Sequence, residues 1–115
     1  MNLNVARTIQ SVAVFGMITH VVVFWTDKPP GDAQDKIAAG AREFLAVIPG
    51  MMEFRSGIPV PSPRGVVDDS YAAAISMTFK DQAAADAYLA HPLHVRFVEE
   101  CVKPHVRRLV VYDFG

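Results

Sequence analysis

Hydrophobic positions along the chain alternate between a period of two and a period near 3.6, and each change of period marks an element. Over residues 18–25 (ITHVVVFW) only Thr19 and His20 are polar, β-branched side chains dominate, and Asp27, Pro29, Pro30 and Gly31 stop the run. This predicts a strand whose faces are Ile18, His20, Val22 and Phe24 on one side and Thr19, Val21, Val23 and Trp25 on the other. Both faces are apolar enough to need cover. Over 33–48, Ile37, Ala41, Phe44, Leu45 and Ile48 fall at i, i+4, i+7, i+8 and i+11, the stripe of an amphipathic helix, with Asp32 as its cap and Pro49-Gly50 as its end. A weaker strand follows over 51–58, where Met52, Phe54 and Ile58 oppose Glu53 and Arg55, as expected of an edge. Pro59, Pro61, Pro63 and Gly65 make 57–70 a loop, because proline cannot donate to a ladder.

The third strand, 71–79, alternates a large face (Tyr71, Ala73, Ile75, Met77, Phe79) with a small one (Ala72, Ala74, Ser76, Thr78). Asp81 opens a helix that runs to His91-Pro92. Proline disfavours helical geometry in the residue before it and suits a first turn, so a second helix is predicted over 92–103. A last strand, 108–114, sets Leu109 and Val111 against Val110, Tyr112 and Phe114.

The resulting order is β-α-β-β-α-(α)-β, an α+β, ferredoxin-like protomer whose helices cover one face of a four-stranded antiparallel sheet. The other face carries apolar residues from the first and last strands and exceeds what a monomer usually leaves in water. Two protomers are therefore expected to pack sheet on sheet as a homodimer, a dimeric α+β barrel. The alternative is that the N-terminal arm covers that face or that it is tolerated.

A length of 115 residues fits one domain, expected over 17–115 behind an arm or extra segment at 1–16. The 51% hydrophobic content is high for so small a body and agrees with a second buried surface. The apolar run over 12–25 is interrupted by Gly16, Thr19 and His20 and is shorter than the roughly 18 residues a membrane span needs. It also lacks the basic leader and cleavage site of a signal peptide. Eleven basic against twelve acidic residues, a net charge of −1, leave no electrostatic footprint for nucleic acid. The single Cys101 excludes an intrachain disulfide framework and fits a reducing, cytoplasmic setting. The partner expected from these properties is thus a second copy, with neither nucleic acid nor membrane.

Four histidines dominate the candidate chemistry. His94, Phe97, Val98 and Cys101 share one helical face, Tyr88 and His91 lie three apart on the preceding helix, and His20 sits within an apolar strand. A pocket between the sheet and the helices would gather Tyr88, His91, His94 and His20, with Val22, Phe24, Ile37, Ala41, Ile75, Phe97 and Val98 as its apolar lining. An imidazole can take a proton near neutral pH, and a phenol can donate to a developing oxyanion. The same residues also serve a core whose polar ends are satisfied. His91 and His94 with His20 form a possible metal set, although the pair straddles a helix break and encloses no carboxylate as the zinc-protease motif does. Cys101 on the apolar stripe reads as a small hydrophobe. Lys103, His105, Arg107 and Arg108 suit the negative end of the last helix. Gly57 and Gly65 lie among prolines and open no helix, so no phosphate loop exists and no cofactor is expected.

The segments ITHVVVFW (18–25), IPGM (48–51), SMTFKD (76–81), AYLAHPLHVRFVEECVKP (87–104) and VVYDF (110–114) together resemble the stress-responsive α/β-barrel (Dabb) family, most specifically in the Tyr-x-x-His-Pro-x-His run of Tyr88, His91, Pro92 and His94. The resemblance implies a dimeric barrel of ferredoxin-like protomers. A plant branch of the family closes linear polyketides by an aldol step without a cofactor. Its acid-base pair falls on Tyr88 and His94, and its pocket-lining strand histidine falls on His20. The expectation is a small-molecule-binding protein, in which His94 is the base, Tyr88 binds the carbonyl or oxyanion, and His20 and His91 orient or polarise. The alternative is a non-catalytic binding or stress-associated structural protein.

Overall fold

The structure, a computed structural model, describes residues 16–27 and 31–115. The expected N-terminal arm lies almost wholly outside the described residues. Strands β1 (Ile18–Thr26), β2 (Met51–Gly57), β3 (Ala73–Phe79) and β4 (Val106–Phe114) form one sheet in the order β2-β3-β1-β4, with every neighbouring pair antiparallel. Helices α1 (Asp32–Phe44), α2 (Gln82–Ala90) and α3 (Pro92–Phe97) lie on one face, and α3 runs into a π-helical turn, Val98–Val102. The α+β ferredoxin-like protomer predicted from the pattern is the fold observed.

Between sheet and helices lies the core. Its largest fully enclosed side chains are Phe24, Ile37, Leu45, Ile75, Met77 and Phe79. Of the large face predicted by alternation, Ala73, Ile75, Met77 and Phe79 are buried, while Tyr71 precedes β3 and is only half-buried. Across the sheet, Thr19 and Thr78 share a hydroxyl hydrogen bond of 3.1 Å. On that same face Tyr112 and Phe114 stay 58% and 60% exposed, so the apolar patch anticipated from the sequence exists in the protomer. Trp25 is sealed at its end by Ser70, which accepts from Nε1 at 3.0 Å, and by the Arg108 guanidinium 4.5 Å above its ring.

Several boundaries differ from the expected ones for local reasons. Helix α1 ends at Phe44 rather than at 48, because Pro49 disfavours helical geometry at Ile48 and Gly50, with φ +88°, swings the chain into β2. Leu45 and Ile48 are buried all the same, from the turn rather than from the helix. The N-cap of α1 is Gly31, not Asp32; Asp32 and Asp35 instead place negative charge in the first turn. A register shift between Met51 and Glu53 turns Met52 out to solvent, and Ile58 falls beyond the end of β2, so neither shares the buried side with Phe54. β3 starts at Ala73, while Ala72 still donates its N–H to Phe24 at 2.7 Å. β4 starts two residues early, at Val106. The predicted helix over 92–103 keeps α geometry only through Phe97; the Lys103 N–H then reaches back to the Val98 carbonyl at 2.9 Å, an i→i+5 bond. That wider turn brings both Cys101 and Val102 into the core.

No helix among the described residues is long and apolar enough to cross a membrane.

Candidate functional site

The helices do not reach across the whole sheet. On the helix side of β4, Leu109 and Val111 remain 45% and 43% exposed, which leaves a trough between β1, β4 and the α2–α3 corner. That corner is built by two residues. Helix α2 is capped by Asp81, whose carboxylate accepts from the Ala84 N–H at 2.8 Å, and it ends where His91 goes extended (φ −67°, ψ 138°) ahead of Pro92. His91 then turns its Nδ1 onto the Leu93 N–H at 3.1 Å and caps α3. The break folds the first turn of α3 back on the last turns of α2, so that Tyr88 and His94 meet edge to face with ring centroids 4.7 Å apart.

Tyr88 is the centre of the site. Phe79 packs on it at 5.0 Å and His20 approaches its edge at 5.8 Å. It is 2% exposed, and burial pushes its phenol well above the ordinary range, so the group stays protonated and acts as a donor. Among the described residues its hydroxyl has no hydrogen-bond partner, whereas every fully enclosed side-chain N or O atom there has one; the phenol oxygen therefore opens onto a cavity. His94 is half-buried. Desolvation lowers its pKa, a hydrogen bond to the Leu89 backbone opposes that shift, and His20 lowers it further. The balance favours a neutral imidazole. A neutral imidazole carries one unprotonated nitrogen, which can accept a proton.

His20 is fixed from the opposite side. Its cross-strand partner on β4 is Asp113, and Nδ1 donates to the Asp113 carboxylate, which sets the tautomer and leaves Nε2 for a ligand.

Two cavities of about 220 Å³ each meet at this centre, with Tyr88, His20 and Leu89 common to both. The first is apolar apart from the site groups themselves: Val22, Phe24, Ile75, His94, Phe97, Val98, Val102, Leu109 and Val111 complete its wall. The second lies toward the far end of β4, where Ile18, Phe79, Gln82, Ala85, Asp86, Asp113, Phe114 and Gly115 surround it.

The fold thus gathers Tyr88, His94, His20, Val22, Phe24, Ile75, Phe97 and Val98 of the predicted site. Ile37 and Ala41 are fully enclosed in the core beneath and line neither cavity, because the α1 stripe faces the middle of the sheet and not the trough. His91 lines neither cavity; its ring serves the helix corner. The predicted set omits Asp113, Gln82, Asp86, Leu109 and Val111. Asp113 was within reach of parity alone, since it continues the Leu109, Val111 face of β4 toward His20. Among the described residues no group of three His, Cys, Asp or Glu side chains is placed to hold a metal ion. Cys101 is buried, and desolvation pushes its thiol up, which suits a packing role.

Residues 18–115 match the model of the Dabb family, described as a stress responsive A/B barrel domain. Among solved structures, a Dabb family protein with a ferredoxin-like fold from Mesorhizobium loti is 34% identical, with 87% of this chain and 96% of that chain covered and a TM-score of 0.70. A dimeric ferredoxin-like protein of unknown function from Jannaschia sp. is 29% identical over 87% of this chain and 99% of its own, with a TM-score of 0.65. The hydroxynitrile lyase of Passiflora edulis shares the fold at 21% identity, a TM-score of 0.70, and coverage of 86% and 92%. No curated protein matches. From residue 18 to residue 115, this chain belongs to the Dabb family of stress-responsive A/B barrel domains.

Proposed function

We propose that this protein is a homodimeric, cofactor-independent acid-base enzyme acting on a small carbonyl compound or a carbonyl adduct held in the apolar cavity. One observation carries the reading. A buried phenol with an unpartnered hydroxyl stands against a half-buried imidazole whose pKa is lowered, within an apolar enclosure. The phenol donates to the carbonyl oxygen, where negative charge develops. The unprotonated ring nitrogen of His94 takes the proton from carbon or hydroxyl. His20, held by Asp113, offers a second polar contact to the same oxygen. Both halves of a lyase or aldol cycle use this pair: the proton His94 removes returns from it, and no redox step is involved. The Passiflora edulis neighbour, a hydroxynitrile lyase, adds weight to carbonyl chemistry on this fold. The exposed apolar sheet face, and neighbours described as dimeric, support assembly through a second copy.

The test uses β-dicarbonyl compounds, whose α-protons are readily exchanged, in D2O, followed by NMR, together with mandelonitrile cleavage. Wild type is expected to accelerate exchange or cleavage, and His94→Ala to lose roughly 10²–10³-fold of that rate. Equal rates for wild type and His94→Ala on every compound would remove the catalytic reading. Saturable binding that persisted in both would leave a carbonyl-binding protein.

A further inference from the structure

The second cavity, beyond Tyr88, belongs to no step of the chemistry above. It opens off the same phenol and is lined by Gln82, Asp86 and Asp113. Gln82 donates from Nε2 to Asp86 at 2.9 Å, so its own carbonyl oxygen and the second oxygen of Asp86 remain as acceptors. Asp113 spends one oxygen on His20 and keeps the other. None of the residues lining either cavity is Lys or Arg. Tyr88, almost wholly buried and with its hydroxyl unpartnered, stands at the junction.

We infer that the second cavity is a subsite for the far end of the ligand, and that it favours an end group bearing hydrogen-bond donors, neutral or cationic, over carboxylates and phosphates. The physical reason is the donor-acceptor balance. Three acceptor oxygens on exposed side chains, two of them carboxylates, line a space with no cationic side chain, so an anionic end meets repulsion, whereas an ammonium or hydroxyl gains a charge-assisted hydrogen bond. The ligand spans both lobes: an apolar body beside Phe24 and Val111, a carbonyl at Tyr88, and a donor-bearing end at Asp86. This rests on the proposed carbonyl site for the position of the middle group only.

A matched series of 1-phenyl-3-hexanones tests it, with methyl, hydroxyl, dimethylaminomethyl or carboxylate at carbon 6, the chain end across the carbonyl from the ring, and binding to the full chain measured by NMR titration. The hydroxyl and dimethylaminomethyl compounds are expected to bind roughly three- to fivefold tighter than the methyl compound, and the carboxylate weaker by a similar factor. In Asp86→Asn, the amine should lose its advantage and the carboxylate part of its penalty, while the methyl compound binds as before. A carboxylate that binds wild type as well as the amine overturns the subsite, as does an Asp86→Asn variant that shifts all four compounds equally. Failure of the catalytic reading looks different: the end-group order holds, but His94→Ala leaves β-dicarbonyl exchange unchanged. Absence of binding by every member counts against the subsite and the carbonyl site together.

Discussion

Tyr88 and His94 set the pH behaviour of the site in opposite ways. A base with a lowered pKa is active down to a pH below the ordinary imidazole value, and a phenol with a raised pKa does not ionise in the usual range. The rate of proton transfer should therefore rise with a midpoint below about pH 6.5 and stay flat to about pH 10 once the imidazole is neutral, in a pH profile of exchange or cleavage. Tyr88→Phe keeps the packing against Phe79 but removes the donor. It should lower the rate roughly 10²-fold with little change in thermal midpoint, since no protein hydrogen bond is lost. His94 also links to stability. Its folded pKa lies below the unfolded one, so the unfolded chain binds the proton more readily and stability falls as pH drops through about 6.5. Denaturant titrations between pH 7 and pH 5 should show a shallower loss in His94→Gln.

At the scale of elements, α1 lies so near the π-helical turn that Gly40 has no room for a side chain. A Cβ at Gly40 would lie 2.4 Å from the Cys101 Sγ and 3.4 Å from its Cβ. Alanine in mid-helix gains roughly 0.5–1 kcal/mol over glycine, but overpacking a buried contact costs about 1–3 kcal/mol, so the clash wins. Gly40→Ala should be destabilising by about 1 kcal/mol in urea unfolding, and Gly40→Ala/Cys101→Ala should recover most of that, because the sulfur is the atom in the way. The same region shows why elements were only partly legible in the sequence. The stripe of His94, Phe97, Val98 and Cys101 was visible at helical spacing, yet the i→i+5 turn was not, since nothing in one helix says how close its neighbour will lie. The helix break at His91-Pro92 was visible because proline acts locally. The bulge that turns Met52 out was hidden, because register is a property of two strands and not one.

On the scale of the whole molecule, the sheet faces are unequal. Three helices cover one, except along β4. The other presents Val21, Val23, Tyr112 and Phe114 without cover from the described residues. A homodimer that packs these faces together should be broken by charge placed at the middle of the patch. Val21→Lys with Tyr112→Lys is expected to yield monomers at micromolar concentration in sedimentation velocity, with far-UV circular dichroism retained, whereas wild type sediments as a dimer. A wild type that is monomeric under the same conditions overturns the proposed assembly.

By itself the sequence determined the order of elements, the buried faces of β1, β3 and α1 and the chemical types available, because alternation, helical stripes, caps and prolines act within a few residues. It also placed Tyr88 and His94 on either side of a break. Tertiary structure decided what those residues can do. Only folding turned His91 into a helix cap, sank Ile37 and Ala41 beneath the trough, and left β4 beyond the reach of the helices so that a cavity could form. Only the β1–β4 register set Asp113 on His20. Such properties depend on distances between segments far apart in the chain, and those distances are fixed when the core packs.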